Sequence, residues 1–171
     1  MVFIKFAKIL PAGKNNKNIK QEYIAVVMDT KIKKIIAVAI KAEQDAQRIY
    51  NVGIGRSGIA AGRALFRRLV NEEKKHETAL RKLLKGEITL SKPPIGGDMK
   101  LAESISLTPL SELGEVLQII KFAIGKEKGA QRRYRRMAKL FAGKARAMLQ
   151  NFEMQEKRHE LLLKNEGEKL K

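Results

Sequence analysis

From Lys31 onward the apolar residues recur at steps of three and four. Ile36, Ala39, Ile40, Glu43, Ala46 and Tyr50 fall on one face, the stripe of an amphipathic helix. Gly53, Gly55 and Gly58 predict where it breaks. A second helix is predicted to begin between Ser57 and Ala61 and to run to about Lys85, with Leu65, Phe66, Leu69, Glu73, His76, Leu80 and Leu83 facing inward. Residues 86–110 hold Pro93, Pro94, Gly96, Gly97 and Pro109 with no strong period, so they read as a long crossover rather than a tight turn. Ser111 is a suitable N-cap for a third helix carrying Leu113, Leu117, Ile120, Ile124, Glu127, Gln131, Tyr134, Ala138 and Phe141. After a short break near Gly143, a fourth carries Ala145, Leu149, Phe152, Glu156, His159 and Leu163.

Residues 1–31 differ. MVFIKFAKIL and EYIAVVMD are short β-prone runs around the loop-like PAGKNNKNIK, and they read as a hairpin or as an appendage. The expected organisation is therefore an N-terminal extension over residues 1–31 and an all-α four-helix bundle over residues 32–171. Short loops within each helix pair and one long crossover between the pairs match a ferritin-like connectivity, not a simple up-down-up-down one.

Composition narrows the chemistry. The chain has 171 residues, 44% hydrophobic and 32% charged, a globular balance with material for a sizeable core. It has no cysteine, which excludes disulfides, thiolate-held zinc, iron–sulfur clusters and thiol nucleophiles. No apolar run approaches the ~20 residues that span a bilayer. Lys5 and Lys8 interrupt the apolar N-terminal stretch, and no small-residue cleavage site follows, so a cytoplasmic location is expected. The net charge of +18 admits nucleic acid as a partner. The basic residues are spread along the helices, however, and even the densest cluster, RRYRRMAK (132–139), wraps around its helix, which favours a solvated face.

The chemistry lies in a repeat. Glu43-x-x-Ala46-x-x-x-Tyr50 recurs 84 residues later as Glu127-x-x-Ala130-x-x-x-Tyr134. Glu73-x-x-His76 recurs 83 residues later as Glu156-x-x-His159, and Arg63, Ala64, Glu77 and Leu80 recur at that offset as Arg146, Ala147, Glu160 and Leu163. The chain reads as a duplicated helical hairpin. Glu43, Glu73, Glu127 and Glu156 sit in apolar stripes, where an unpaired carboxylate is very costly. Both histidines of the chain lie three residues after a glutamate, side by side with it on one helix face. Four carboxylates carry four negative charges, and two divalent cations would balance them, with two neutral imidazoles completing the set. Mixed carboxylate and imidazole ligation suits iron or manganese, with zinc also admissible. One Glu from each of two helices plus Glu-x-x-His from each of the other two is the ligand pattern of dinuclear carboxylate bundles. Glu43, Glu73, His76, Glu127, Glu156 and His159 are thus the expected metal ligands. Tyr50 and Tyr134, two turns beyond Glu43 and Glu127, read as residues that hydrogen-bond ligand carboxylates or pass electrons. Glu72, Glu77, Glu153 and Glu160 flank the pairs and read as surface or outer residues.

The segments AEQDAQRIY and LVNEEKKHETAL, then GKEKGAQRRY and NFEMQEKRHELL, resemble the rubrerythrin-like branch of the ferritin-like superfamily over residues 32–165. The resemblance implies two iron ions reacting with peroxide or dioxygen. Rubrerythrins proper also carry a four-cysteine iron–sulfur module; its absence here implies a separate electron donor, such as a rubredoxin-like protein. They have a further glutamate where this chain has Ala130, and often a second Glu-to-His spacing one residue longer. A homodimer is expected from the family habit and from apolar residues judged to lie outside the site, Ile35, Val38 and Ile119.

Overall fold

The computed structural model describes residues 16–88 and 115–170, with side chains from Asp29 onward. Among the described residues there are four helices: α1 Asn16–Arg56, α2 Ala60–Leu84, α3 Val116–Ala138 and α4 Gly143–Glu168. The chain divides into two units, Met1–Lys34 and Ile35–Lys171, with the boundary inside α1. Of the first unit, the described residues are helical from Asn16.

The β reading of EYIAVVMD is corrected: residues 22–29 lie inside α1. Their β-branched residues favour a strand locally. No proline or glycine interrupts the chain between Gly13 and Gly53, however, and a helix once nucleated gains a hydrogen bond for each residue added. The other β-prone run, residues 1–10, lies outside the described residues.

The expected break at Gly53 and Gly55 is also displaced, since α1 continues to Arg56. Gly53 serves another purpose. A Cβ built there would lie 2.7 Å from ring carbons of Phe66, a fully buried side chain of α2. Glycine lets that ring rest on the α1 backbone. The turn into α2 is closed by Ser57 N–H donating to the Gly53 carbonyl (2.9 Å) and by Arg63 Nη1 donating to the Ser57 carbonyl (2.9 Å). At its far end α2 stops in a Schellman motif: Glu87 N–H donates to the Lys82 carbonyl and Gly86 N–H to that of Leu83. Gly86 takes the left-handed φ of +77° that this ending requires. The third helix begins at Val116, where Glu115 N–H donates to Gln118 Oε1 (3.4 Å); Ser111, the expected cap, lies outside the described residues.

Cross-helix contacts fix the directions. Between α1 and α2, Gln47 meets Glu77 and Gly53 meets Phe66, so the two run antiparallel. Between α3 and α4, Gln131 meets Glu160 and Arg135 meets Glu153; between α1 and α3, Tyr50 meets Glu127 and Tyr134 meets Glu43. These pairs are antiparallel too, which leaves α2 and α3 parallel. Helices that run the same way cannot be joined by a tight turn, which agrees with the long stretch of sequence between α2 and α3. The crossover segment itself, residues 89–114, lies outside the described residues.

These directions place apolar residues on both sides of a polar level. On one side are Ile49, Tyr50, Phe66, Leu69, Val70, Ile119, Ile120, Ala123 and Leu163, which form one packed cluster. On the other lie Ile36, Leu80, Leu83, Met137, Ala145 and Leu149, all buried. Ile119 therefore belongs to the core, not to an outward face that could pair with a second copy, while Val38 is 44% exposed. No helix among the described residues is long and apolar enough to cross a membrane.

The two glycines near the end of α1 should respond oppositely to alanine. Gly53→Ala forces the Phe66 ring or the helix to shift in a full core and is expected to cost about 1–3 kcal/mol. Gly55 has open space around it, so Gly55→Ala should be neutral or gain up to about 1 kcal/mol in helix propensity. Denaturant unfolding of both variants checks this; equal effects would show that Phe66 does not occupy the Gly53 notch.

Candidate metal centre

At the polar level the structure brings together all six residues that the repeat singles out as ligands. Glu43, Glu73, His76, Glu127, Glu156 and His159 are each at most 2% exposed. They form two overlapping groups that could each hold a metal ion. Glu43, Glu73, His76 and Glu156 offer one set of atoms within 4.8 Å of one another, and Glu73, Glu127, Glu156 and His159 the other. Glu73 and Glu156 belong to both.

The atoms sort cleanly between the two positions. His76 Nδ1 faces Glu156 Oε1 (2.9 Å), Glu73 Oε2 (3.1 Å) and Glu43 Oε2 (3.6 Å). His159 Nδ1 faces Glu73 Oε1 (3.0 Å), Glu156 Oε2 (3.3 Å) and Glu127 Oε2 (3.4 Å). Each of Glu73 and Glu156 thus presents one oxygen to each imidazole, the geometry of a bridging carboxylate. Each position has one imidazole nitrogen and three carboxylate oxygens, a donor set for iron, manganese or zinc.

Four of these inward atoms are buried without a hydrogen-bond partner: Glu73 Oε1, Glu127 Oε2, Glu156 Oε1 and His159 Nδ1. They lie close to facing atoms but out of donor–acceptor alignment. Buried lone pairs left unmatched at one point are costly to leave so. Cations at that point would satisfy them, so the residues fit a dinuclear metal group.

The tyrosines cross between hairpins. Tyr50 of α1 donates its hydroxyl to Glu127 Oε1 of α3, and Tyr134 of α3 donates to Glu43 Oε1 of α1 (2.7 Å). Each leaves the other oxygen of its glutamate turned to the centre. Burial, and then the charge of the facing glutamate, hold both phenols well above their usual range, so they stay protonated as donors.

Beyond the centre, the four flanking glutamates divide. Glu77 accepts from Gln44 Nε2 (2.9 Å), Gln47 Nε2 (2.8 Å) and Arg81, while Glu160 accepts from Gln131 Nε2 (2.8 Å) and pairs with Lys164. Glu153 pairs with Arg135. Glu72 differs, because its Oε2 lies 2.7 Å from His159 Nε2, the outward nitrogen of that imidazole. The outward nitrogen of His76 lies 2.6 Å from Gln155 Oε1. Gln155 escapes a search for repeated identities, because Glu72 and Gln155 are corresponding but unlike residues. The signal that finds both is their place four residues before a histidine, on the same helix face.

Against known proteins, the model of the rubrerythrin family matches residues 6–84 and 34–167. A hypothetical protein from Pyrococcus furiosus has a solved structure of similar fold, with a TM-score of 0.63 and 22% identity over 80% of this chain and 88% of that one. No curated protein matches.

Without metal, protons must balance the carboxylates. Burial, followed by the charge of Glu43, raises the Glu73 carboxyl to about 8. Burial and the charge of Glu156 raise that of Glu127. Burial opposes charge on the imidazoles, but the close carboxylates of Glu156, Glu43 and Glu73 outweigh it and push His76 up to about 12. His159 is pushed up in the same way by Glu127, Glu156 and Glu73. Burial likewise opposes ionisation of Glu43, yet the facing His76 and Glu73 and the charge of Arg133 bring it down to about 2.

These shifts set the pH dependence of the metal-free protein. Glu73 holds a proton in the fold that the unfolded chain releases near 4.5, so its contribution fades as pH rises through about 8. His76 stabilises below 6.5 and loses that contribution as pH rises toward about 12. Glu43 stabilises above 4.5 and loses that contribution as pH falls through about 2. The metal-free protein should therefore be most stable in mildly acidic solution and weaken steadily between about pH 5 and 8. Divalent cations displace those protons, so saturating Mn(II) or Co(II) should reverse the slope. Thermal unfolding across that range, in chelator and in metal, reads both slopes; a flat profile in chelator would contradict the proton balance.

Proposed function

The chain belongs to the rubrerythrin family, and on that premise we propose that it is a dinuclear iron oxidoreductase that reduces peroxide or dioxygen with electrons from a separate donor. The observation that carries this reading is the pair of shared carboxylates, with Glu73 and Glu156 each offering one oxygen to His76 and one to His159.

Glu43 and His76 would hold one ion and Glu127 and His159 the other, with Glu73 and Glu156 between them. Two bound iron(II) ions would supply one electron each, which with two protons converts hydrogen peroxide to two waters. The chain does the rest. Four protein atoms at each position would leave an ion held there room for a small oxidant. Tyr134 and Tyr50 fix the rotation of Glu43 and Glu127. The apolar residues on both sides keep bulk water from the centre. The 171 residues hold no cysteine for a thiolate-bound redox group, and in this reading the electrons would come from a separate donor. A net charge of +18 would steer an acidic donor, as a small rubredoxin-like protein would be, and that encounter should slow with salt.

Protein from iron-supplemented cells, or reconstituted anaerobically with Fe(II), should hold about two metal ions per chain, the number set by six ligands in two groups. Glu73→Gln removes a charge and a bridge, so it should lower metal content and slow peroxide reduction with a supplied donor by at least ~10-fold. No metal after reconstitution would overturn the reading. Full loading without peroxide turnover would reduce it to iron storage.

A further inference from the structure

The two hairpins match at the six candidate ligands and the two tyrosines, and they differ just outside that set. Both imidazoles turn Nδ1 to the centre, so Nε2 carries the hydrogen and donates outward. His159 Nε2 donates to the Glu72 carboxylate at 2.7 Å, and His76 Nε2 to the Gln155 carboxamide oxygen at 2.6 Å. The repeat offset of 83 places Glu72 opposite Gln155 and Arg68 opposite Asn151. Arg68 Nε holds the other Glu72 oxygen at 2.8 Å, which fixes the carboxylate in place. The first half thus backs the second half's imidazole with an ion pair, and the second half has neutral residues at the same two positions.

Resting on the dinuclear reading above, we propose that Glu72 is a positioning residue that makes the two metal positions unequal, so that the His159 position binds more tightly and fills first. An imidazole that donates to a carboxylate places more electron density on its ligating nitrogen than one that donates to an amide, and its hydrogen bond is charge-assisted. The four bridging oxygens are divided evenly between the positions, and each position has one terminal glutamate held by one tyrosine. Among the ligands and the tyrosines that hold them, nothing offsets the Glu72/Gln155 difference. The consequence is stepwise assembly, with a one-metal form anchored on α4 preceding the two-metal form.

The chain's two histidines make the test direct, because an imidazole nitrogen NMR spectrum contains two rings. Metal-free full-length protein is titrated with Zn(II), with the rings assigned by the movement of the His159 signal in Glu72→Gln. The His159 ring should change over the first equivalent and His76 over the second, with affinities about 10–100-fold apart. Glu72→Gln should close most of that gap. The exchange Glu72→Gln/Gln155→Glu should reverse the order, which general damage to the fold would not do. Both rings moving together in the wild type, or an order and gap unchanged in Glu72→Gln, would overturn the inequality while leaving the dinuclear site standing. Neither ring responding to Zn(II) would overturn both.

Discussion

Everything in this bundle answers to the burial of four carboxylates at one level of an apolar core. Glu43, Glu73, Glu127 and Glu156 are each nearly inaccessible and turned toward a common centre. Four such charges cannot share a low-dielectric space without balancing positive charge, since both desolvation and mutual repulsion oppose them. The balance comes from protons on His76, His159, Glu73 and Glu127 or from two divalent cations, and the two solutions carry the same charge. Metal binding is therefore an exchange of protons for ions in a site whose side chains are already gathered.

That constraint reaches into the fold. Each hairpin by itself gathers two carboxylates and one imidazole, with the complementary ligands on the other hairpin. The shared oxygens of Glu73 and Glu156 complete the position based on the opposite histidine, and each tyrosine hydroxyl reaches the opposite hairpin's glutamate. The pairings require α1 to face α3 and α2 to face α4, all antiparallel. Helices that run the same way cannot share a tight turn, and α2 and α3 are separated by a long stretch of sequence.

Much of this was legible in the chain because periodicity and duplication are both written in residue spacing. The stripes located three of the four helices to within a few residues, and the offsets of 84 and 83 singled out the six residues that meet at the centre. Less was legible where the answer depends on a partner the spacing cannot name. Tyr50 and Tyr134 sit on the faces of Glu43 and Glu127, but each serves the other's glutamate, a fact of helix packing and not of sequence. Gly53 reads as a helix breaker until Phe66 is found lying against it. EYIAVVMD reads as a strand because local propensity says nothing of the uninterrupted helix around it. Gln155 could not be reached by matching the halves, because at that position they differ.

The pattern of match and mismatch has a physical cause. A duplicated site can diverge only where divergence leaves the charge balance intact. Changing any of the four inner glutamates alters the balance in a space closed to water, at the full cost of an uncompensated buried charge. One layer out, Glu72 is partly exposed and already neutralised by Arg68, so exchanging that pair for Gln155 and Asn151 leaves the total unchanged. Arg68 and Glu72 are both replaced by neutral residues in the second half, as that argument requires. What remains is a difference in how strongly each imidazole is polarised, which alters the metal positions without disturbing the core that holds them. Differentiation of two equivalent sites is thus confined by electrostatics to the shell where solvent still screens a charge.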